Sequence, residues 1–173
     1  MKNYFYYNFN GIGRIGIGEE NGNITDLHFE RGSNPSGEIT IFESPLIKRA
    51  AEQIGEYLSG ARRFFDLPLD MYGTDFQVRC WKALLDIPYG ETRSYKDIAK
   101  AAGSPNAFRA AGMANNRNHI AIIIPCHRVI GADGKLVGFG GGLDIKSFLL
   151  ELERGYAHQG IWGERDILSF REG

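Results

Sequence analysis

The chain has 173 residues, 43% hydrophobic and 24% charged, an ordinary globular balance for one or two domains. Its 20 basic against 21 acidic residues leave a net charge of -1, which excludes coating nucleic acid by bulk charge and leaves only a local patch for such contact. Two cysteines, Cys80 and Cys126, exclude a disulfide framework and a Cys-rich zinc site and point to a reducing compartment.

Residues 1–40 read as strands and turns. Tyr4 to Phe9 is aromatic and β-prone, and Asn21-Gly22 between Arg14–Ile17 and Ile24–Phe29 signals a hairpin. His28 has no cysteine neighbours, so it reads as a strand or surface histidine and not as a metal ligand. Ser44-Pro45 opens a helix, with serine at the N-cap and proline at the first helical position. Leu46, Ala50, Ile54 and Leu58 form its apolar row, and Gly60 is the stop. Arg62 to Tyr72 reads as a short strand and a connection. Residues 1–72 are thus expected to form an N-terminal mixed α/β scaffold domain, a sheet plus a helix, with nothing catalytic in it.

Thr74 with Gln77 forms a capping box and opens a second helix. Phe76, Cys80 and Leu84 share one face of it, with Trp81 and Leu85 beside them, so Cys80 reads as core. Pro88 and Gly90 break the chain. Ser94 caps a short helix from Tyr95 to Ala102, ended by Gly103. Ser104-Pro105 is expected to open the next, which runs to about Asn116. Two short helices joined by a tight turn have the shape of a helix-turn-helix. From Thr92 to Asn118 the segment carries Arg93, Lys96, Lys100, Arg109 and Arg117 against one acid, Asp97, a local footprint for DNA.

Ile122-Ile123-Ile124 then reads as a buried strand or core segment that stops or bends at Pro125. Cys126 stands where the buried run meets a polar turn, next to His127 and Arg128, a setting that suits a reactive thiol. A free cysteine thiol, with a pKa of about 8.5, is mostly protonated near neutrality, and neighbouring cations would raise the thiolate fraction. The alternative is a small buried hydrophobe. The glycines at 138 and 140–142 lack the Gly-Lys-Ser/Thr ending of a phosphate loop and read as a close pocket wall. Leu143 to Arg154 reads as a helix. Residues 73–154 are expected to form a C-terminal, mainly helical domain with a winged-helix-like helix-turn-helix, and 155–173 a tail with a short extra helix. The chain shows no stretch of about 20 apolar residues that would span a bilayer, and its start lacks a signal-peptide layout.

Pro125-Cys126-His127-Arg128-Val129 with Ile130-Gly131 resembles the acceptor motif of the O6-alkylguanine-DNA alkyltransferases, the methylated-DNA–protein-cysteine methyltransferases. Other pieces appear in that family's order: Phe76-Gln77 with Trp81, Ile87 to Thr92, Ser94-Tyr95, Arg109-Ala110, Asn118, and Gly141-Gly142-Leu143 with Lys146. The resemblance covers roughly Thr74 to Glu153. It implies a two-domain α/β fold and single-turnover, direct-reversal repair. An O6-alkylguanine, or an O4-alkylthymine, is flipped from duplex DNA bound through its minor groove, and its alkyl group passes irreversibly to Cys126. His127 would activate the thiol through a water, with Glu153 behind the imidazole. Arg109 would fill the place of the extruded nucleotide, Tyr95 would meet the phosphate and the base, and Asn118 would act as the hinge. The carbonyls of Cys126 and Val129 would receive the guanine amino group, and Phe139 and Gly140 would face the alkyl group. The resemblance implies no cofactor, a monomer, no membrane partner, and a cytoplasmic place, at the nucleoid if the source is bacterial or archaeal; some members of the family hold a structural zinc near the N-terminus, but the cysteines for it are missing here, so no metal is expected. Phe139 stands where the family often has tyrosine, and His119 and Ala121 where it often has prolines. The rival reading is a non-catalytic lesion binder of the alkyltransferase-like type.

Overall fold

The computed structural model describes residues 1–32 and 34–159, with side chains to 155. Its N-terminal part is a four-stranded sheet in the order β3-β2-β1-β4, from β1 (Lys2–Phe9), β2 (Gly13–Glu20), β3 (Asn23–Phe29) and β4 (Ile39–Ile41). The first three strands are antiparallel, and β4 adds to β1 in parallel. Asn21 and Gly22 both hold positive φ, 53° and 78°, which is what a two-residue hairpin demands and what asparagine and glycine tolerate. Helix α1 (Pro45–Leu58) packs on this sheet; Ser44 caps it by accepting from Ile47 N, and Gly60 follows its end at φ 84°. Its inward face is Ile47, Ala50, Ile54, Tyr57 and Leu58, while Leu46 is only half-buried. The row spaced by four therefore caught only part of the stripe, because an α-helical face alternates steps of three and four.

The C-terminal part is helical. α2 (Asp75–Leu85) has the expected capping box and buries Cys80, Trp81 and Leu84, although Leu85 is exposed. α3 (Tyr95–Ala101) is capped by Ser94 and Asp97, and α4 (Phe108–Asn116) follows the turn to complete the helix-turn-helix. The last helix, α5 (Leu143–Gln159), closes the structure. Two short strands, β5 (Arg93–Ser94) and β6 (Val129–Ile130), pair in parallel and join the start of α3 to the segment after Cys126.

Three expectations need correction, and one open alternative, strand or core segment at Ile122–Ile124, is decided. Residues 62–72 form no strand; only an isolated bridge joins Leu69 to Ile24. Ser104-Pro105 does not start α4: Ser104 O accepts from Ala107 N in a turn, and the helix begins at Phe108 without a side-chain cap. Ile122–Ile124 is buried but not a strand. Ile122 takes φ 69°, a left-handed conformation rare for a β-branched residue, and the chain turns there. Helix α5 does not stop at Arg154 but runs on into the expected tail; the remainder of that tail, with its expected extra helix, lies outside the described residues.

The two parts meet along backbone hydrogen bonds. At the β3 edge, Leu27 N donates to His119 O (2.8 Å) and Ala121 N donates to Leu27 O (3.2 Å). The free edge of the sheet is thus used to hold the segment that leads into Cys126. Nearby, the buried Lys2 ammonium donates to Asp26 at 2.5 Å, and Thr25 and Tyr72 donate to the same carboxylate, so the charges inside the sheet are compensated.

Candidate active site

After Pro125 the chain winds through one turn of 3-10 helix, Cys126–Arg128, and then enters β6. The acceptor segment is therefore a tight turn and not an extended one. Asn118 pins it from the end of α4: its Nδ2 donates to Ile124 O (2.8 Å) and its Oδ1 accepts from Ile120 N (3.0 Å). Cys126, 5% exposed, lines a cavity of about 80 Å3 together with Asn115 and Asn118, with Phe139 and Gly140 of the glycine loop, and with His28 and Phe29 of β3. Cys126 packs with the core and also lines this space, which a small substituent can enter.

Behind the thiol lies a buried polar relay. His127, fully buried, sets Nε2 3.1 Å from Glu153 Oε1. The same carboxylate accepts from Arg128 Nη2 (2.6 Å) and Arg128 Nε (2.9 Å), and Arg128 Nη1 donates to Ile87 O (2.7 Å). Arg128 is thus spent on Glu153 and on the turn, not on the thiol. Burial pushes the Glu153 carboxyl up, but the hydrogen bond of His127 and the hydrogen bonds and charge of Arg128 more than reverse this and bring it down to about 2. Glu153 is then an anion that favours a proton on Nε2 of His127, which leaves the lone pair on Nδ1. His127 Nδ1 is buried and has no partner, and no hydrogen bond joins the imidazole to the thiol among the described residues. Burial also holds the His127 pKa below the ordinary histidine value, against the pull of Glu153. The ring is neutral and able to take a proton.

Two residues without an expected role belong to this site. Tyr57, fully buried at the end of α1, donates its hydroxyl to Glu153 Oε1 (3.0 Å) and lies 3.4 Å from His127 Nε2. The N-terminal part, expected to be a scaffold without chemistry, places a phenol on the relay. A sequence signal existed, since Tyr57 falls on the apolar stripe of α1 one step of three after Ile54. Lys146 is fully buried on α5, and its Nζ donates to Val129 O (2.6 Å) and Val137 O (2.8 Å). Burial raises the Cys126 pKa, while a hydrogen bond from Asn118 and the charge of Lys146 work against the rise. The cation that favours the thiolate is therefore Lys146 rather than Arg128.

Among the remaining expected residues, Tyr95 is half-buried at the start of α3 and donates to Val137 O (3.3 Å). Arg109 is exposed on α4, as are the neighbouring Phe108 and Met113. The Val129 carbonyl accepts from Lys146, and the Cys126 carbonyl accepts from Val129 N and, at 3.4 Å, from Asn115 Nδ2. Each carbonyl has two lone pairs; the Cys126 carbonyl already meets two donors, and the Val129 carbonyl meets the Lys146 ammonium. The structure therefore gathers Cys126, His127, Glu153, Asn118, Phe139 and Gly140 around one cavity and relay, and leaves Arg109 on the outer face of the recognition helix. Among the described residues no cluster of histidine, cysteine and acidic side chains is arranged to hold a metal.

This geometry has known relatives. A family model described as the DNA-binding domain of 6-O-methylguanine DNA methyltransferase matches residues 75–155. A methylated-DNA–protein-cysteine methyltransferase from Mycobacterium bovis is 49% identical over 147 residues, covering 84% of this chain and 89% of the relative. The chain belongs to the methylated-DNA–protein-cysteine methyltransferase family. Another member, from Methanosarcina barkeri, is 64% identical over 108 residues, 62% of this chain and 68% of that protein. Among solved structures, Mycobacterium tuberculosis OGT in complex with DNA superposes with a TM-score of 0.83 at 42% identity, covering 96% of this chain and 99% of that one. The O6-methylguanine-DNA methyltransferase of Pyrococcus kodakaraensis superposes at 0.63 with 25% identity, over 88% and 99% of the two chains. Both comparisons extend the methyltransferase family likeness through the N-terminal sheet as well as the helical part.

Proposed function

We propose that Cys126 is the alkyl acceptor of this chain, with His127 and Glu153 as its base and orienting carboxylate. The protein is a methylated-DNA–protein-cysteine methyltransferase that repairs alkylated DNA by direct reversal, and its partner is duplex DNA. The observation that carries the assignment is the thiol at the edge of a cavity, backed by the buried His127–Glu153 pair. The alkylated guanine cannot be reached inside the stack, so it must be swung out; Arg109 on the exposed face of α4 is placed to occupy the gap, and Tyr95 to meet the displaced nucleotide. His127 Nδ1 takes the thiol proton through one water, Sγ attacks the carbon bonded to O6, and the C–O6 bond breaks with its electron pair going to guanine. The proton ends on the base. A thioether has no ready leaving group, so each chain acts once.

A non-catalytic lesion binder is not favoured, because the thiol is present and the relay behind it is complete. The boundary between a scaffold domain of residues 1–72 and a DNA-binding domain of 73–154 is part of the same proposal, as are the monomer and O4-alkylthymine as a second lesion. No helix among the described residues is long and apolar enough to cross a membrane, and we place the protein in the cytoplasm, at the nucleoid where there is one.

Mass spectrometry after incubation with duplex O6-methylguanine DNA tests the assignment. It should find one methyl group, on Cys126, and the Cys126→Ser protein should bind the duplex and transfer nothing. Repeated turnover, or complete repair with Cys126 unmodified, would overturn it.

A further inference from the structure

Phe29 is the last residue of β3, in the half of the molecule that carries no nucleophile, yet it lines the cavity beside Cys126. Its ring packs on Phe139, with centroids 5.5 Å apart and planes inclined by 60°. The glycine loop rests on the same ring: a β-carbon at Gly141 would come within 2.9 Å of Phe29 Cδ2. Only a residue without a side chain lets the loop lie this close. One ring from the sheet therefore backs the wall that the helical half folds over its acceptor.

The wall is tied on both sides of this contact. Ahead of it, Val137 O accepts from Lys146 Nζ (2.8 Å) and from Tyr95 Oη (3.3 Å). Behind it, Gly142 N donates to Phe139 O (2.9 Å) in a turn. Between the ties, Gly140 is not held by packing, since a β-carbon there would meet nothing within 4 Å. Phe29 itself has little freedom to withdraw. It stands opposite Ile15 in the sheet, its carbonyl accepts from Gly32 N (2.8 Å), and it is only 5% exposed. A close-packed ring of this kind resists even one added methylene unless its neighbours shift.

We propose that Phe29 is a specificity-determining residue: through this ring the N-terminal sheet sets how large an O6-substituent can be brought to Cys126. The proposal rests on Cys126 being the alkyl acceptor. The flipped base enters the same space, so its substituent has only the room that Phe29 and Phe139 leave beside the thiol. A methyl group asks nothing more of the wall. A butyl chain has to push Phe139 to Gly141 back, and Phe29 stands where they would go. A shorter side chain at position 29 gives the wall space to retreat. Arg31, two residues further on, also joins the halves, through Asp144 at 3.0 Å. Both partners of that pair are largely exposed, it touches no part of the ring contact, and an exposed ion pair contributes little. Its loss should leave selectivity unchanged.

Single-turnover transfer from duplexes carrying O6-methylguanine or O6-butylguanine tests this in the unaltered, Phe29→Leu, Phe29→Ala and Arg31→Ala proteins, with the modified Cys126 peptide identified by mass. The readout is the butyl-to-methyl rate ratio within one protein, so a loss of folded material cancels. Phe29→Ala should raise the ratio by about tenfold or more, the scale on which apolar pockets distinguish chain length. Phe29→Leu should raise it less, and it carries the test alone if Phe29→Ala does not fold. Arg31→Ala should keep the original ratio. A ratio unchanged or lowered in Phe29→Leu and in any folded Phe29→Ala protein overturns the proposal. An equal rise in Arg31→Ala does so too, because selectivity would then follow a loosened contact between the halves and not the ring. Absence of methyl transfer by the unaltered chain would instead overturn the acceptor assignment on which the proposal stands.

Discussion

The N-terminal sheet and the C-terminal helices contribute to one site by different means. The helical part carries the acceptor turn, the His127–Glu153 pair, Lys146 and the recognition helix, so nearly every group that touches the chemistry lies in residues 93–153. The sheet carries no nucleophile. It acts through its edge and through one helix end: β3 holds residues 119–121 by backbone hydrogen bonds and lends His28 and Phe29 to the cavity, and α1 drives the Tyr57 hydroxyl into the relay. The difference shows that a part of the chain without its own chemistry can still set the polarity of a site, provided its packing is rigid enough to deliver a polar atom into the neighbouring half.

The sharpest way to break this comparison is to disable each side in turn. Glu153→Gln, in the helical part, should have the largest effect. It leaves the Arg128 guanidinium buried without its counter-ion, a change that costs about 3–5 kcal/mol when one partner of a buried pair is removed. Transfer by the folded fraction should drop by roughly 100-fold or more, as His127 loses its orienting anion. Denaturant unfolding and single-turnover kinetics together measure the two effects.

Arg109→Ala comes next. It should slow transfer from lesion-bearing duplex by about tenfold while leaving transfer from a free O6-benzylguanine base near its original rate, because only the duplex has a gap to fill. Equal slowing on both substrates would place Arg109 in the chemistry and not in DNA recognition.

Tyr57→Phe probes the sheet side. It removes one donor from Glu153 without changing the packed shape, so a stability loss of about 1 kcal/mol is expected. With one competing donor gone, Glu153 interacts more strongly with His127 and the imidazole becomes more basic. The acidic limb of the pH–rate profile should move to higher pH. An unmoved limb with the same loss of stability would reduce Tyr57 to a packing residue.

The smallest expected effect concerns pH in the unaltered chain. Because burial holds His127 below the ordinary histidine value, the transfer rate should stay level as pH falls through about 6.5 and decline only below it. Stability follows Glu153. Its folded pKa is about 2 against an ordinary 4.5, so its contribution is complete above 4.5 and is lost as pH falls from there toward 2. Acid titration followed by fluorescence should show unfolding begin in that window, and Glu153→Gln should remove this part of the pH dependence.

What could be read from the residues alone was what neighbours along the chain decide. The Asn21-Gly22 hairpin, the Ser44 and Thr74 caps, the Ser94 cap of α3 and the core position of Cys80 all follow from backbone conformations and periodicities that span a few residues. The acceptor motif and its companions were also legible, since the order of the pieces is itself sequence. The triple isoleucine announced burial but left strand and core segment open, because the two are different properties: the run is inside, but Ile122 adopts a left-handed turn that only the surrounding packing can impose. Tertiary structure alone decided the rest. Tyr57 meets His127 and Glu153 across separations of 70 and 96 residues, and Lys146 turns toward Val129 from a different helix. Whether an acceptor such as Asn115 Oδ1 finds a partner depends on every atom packed around it, and no local pattern of residues encodes that.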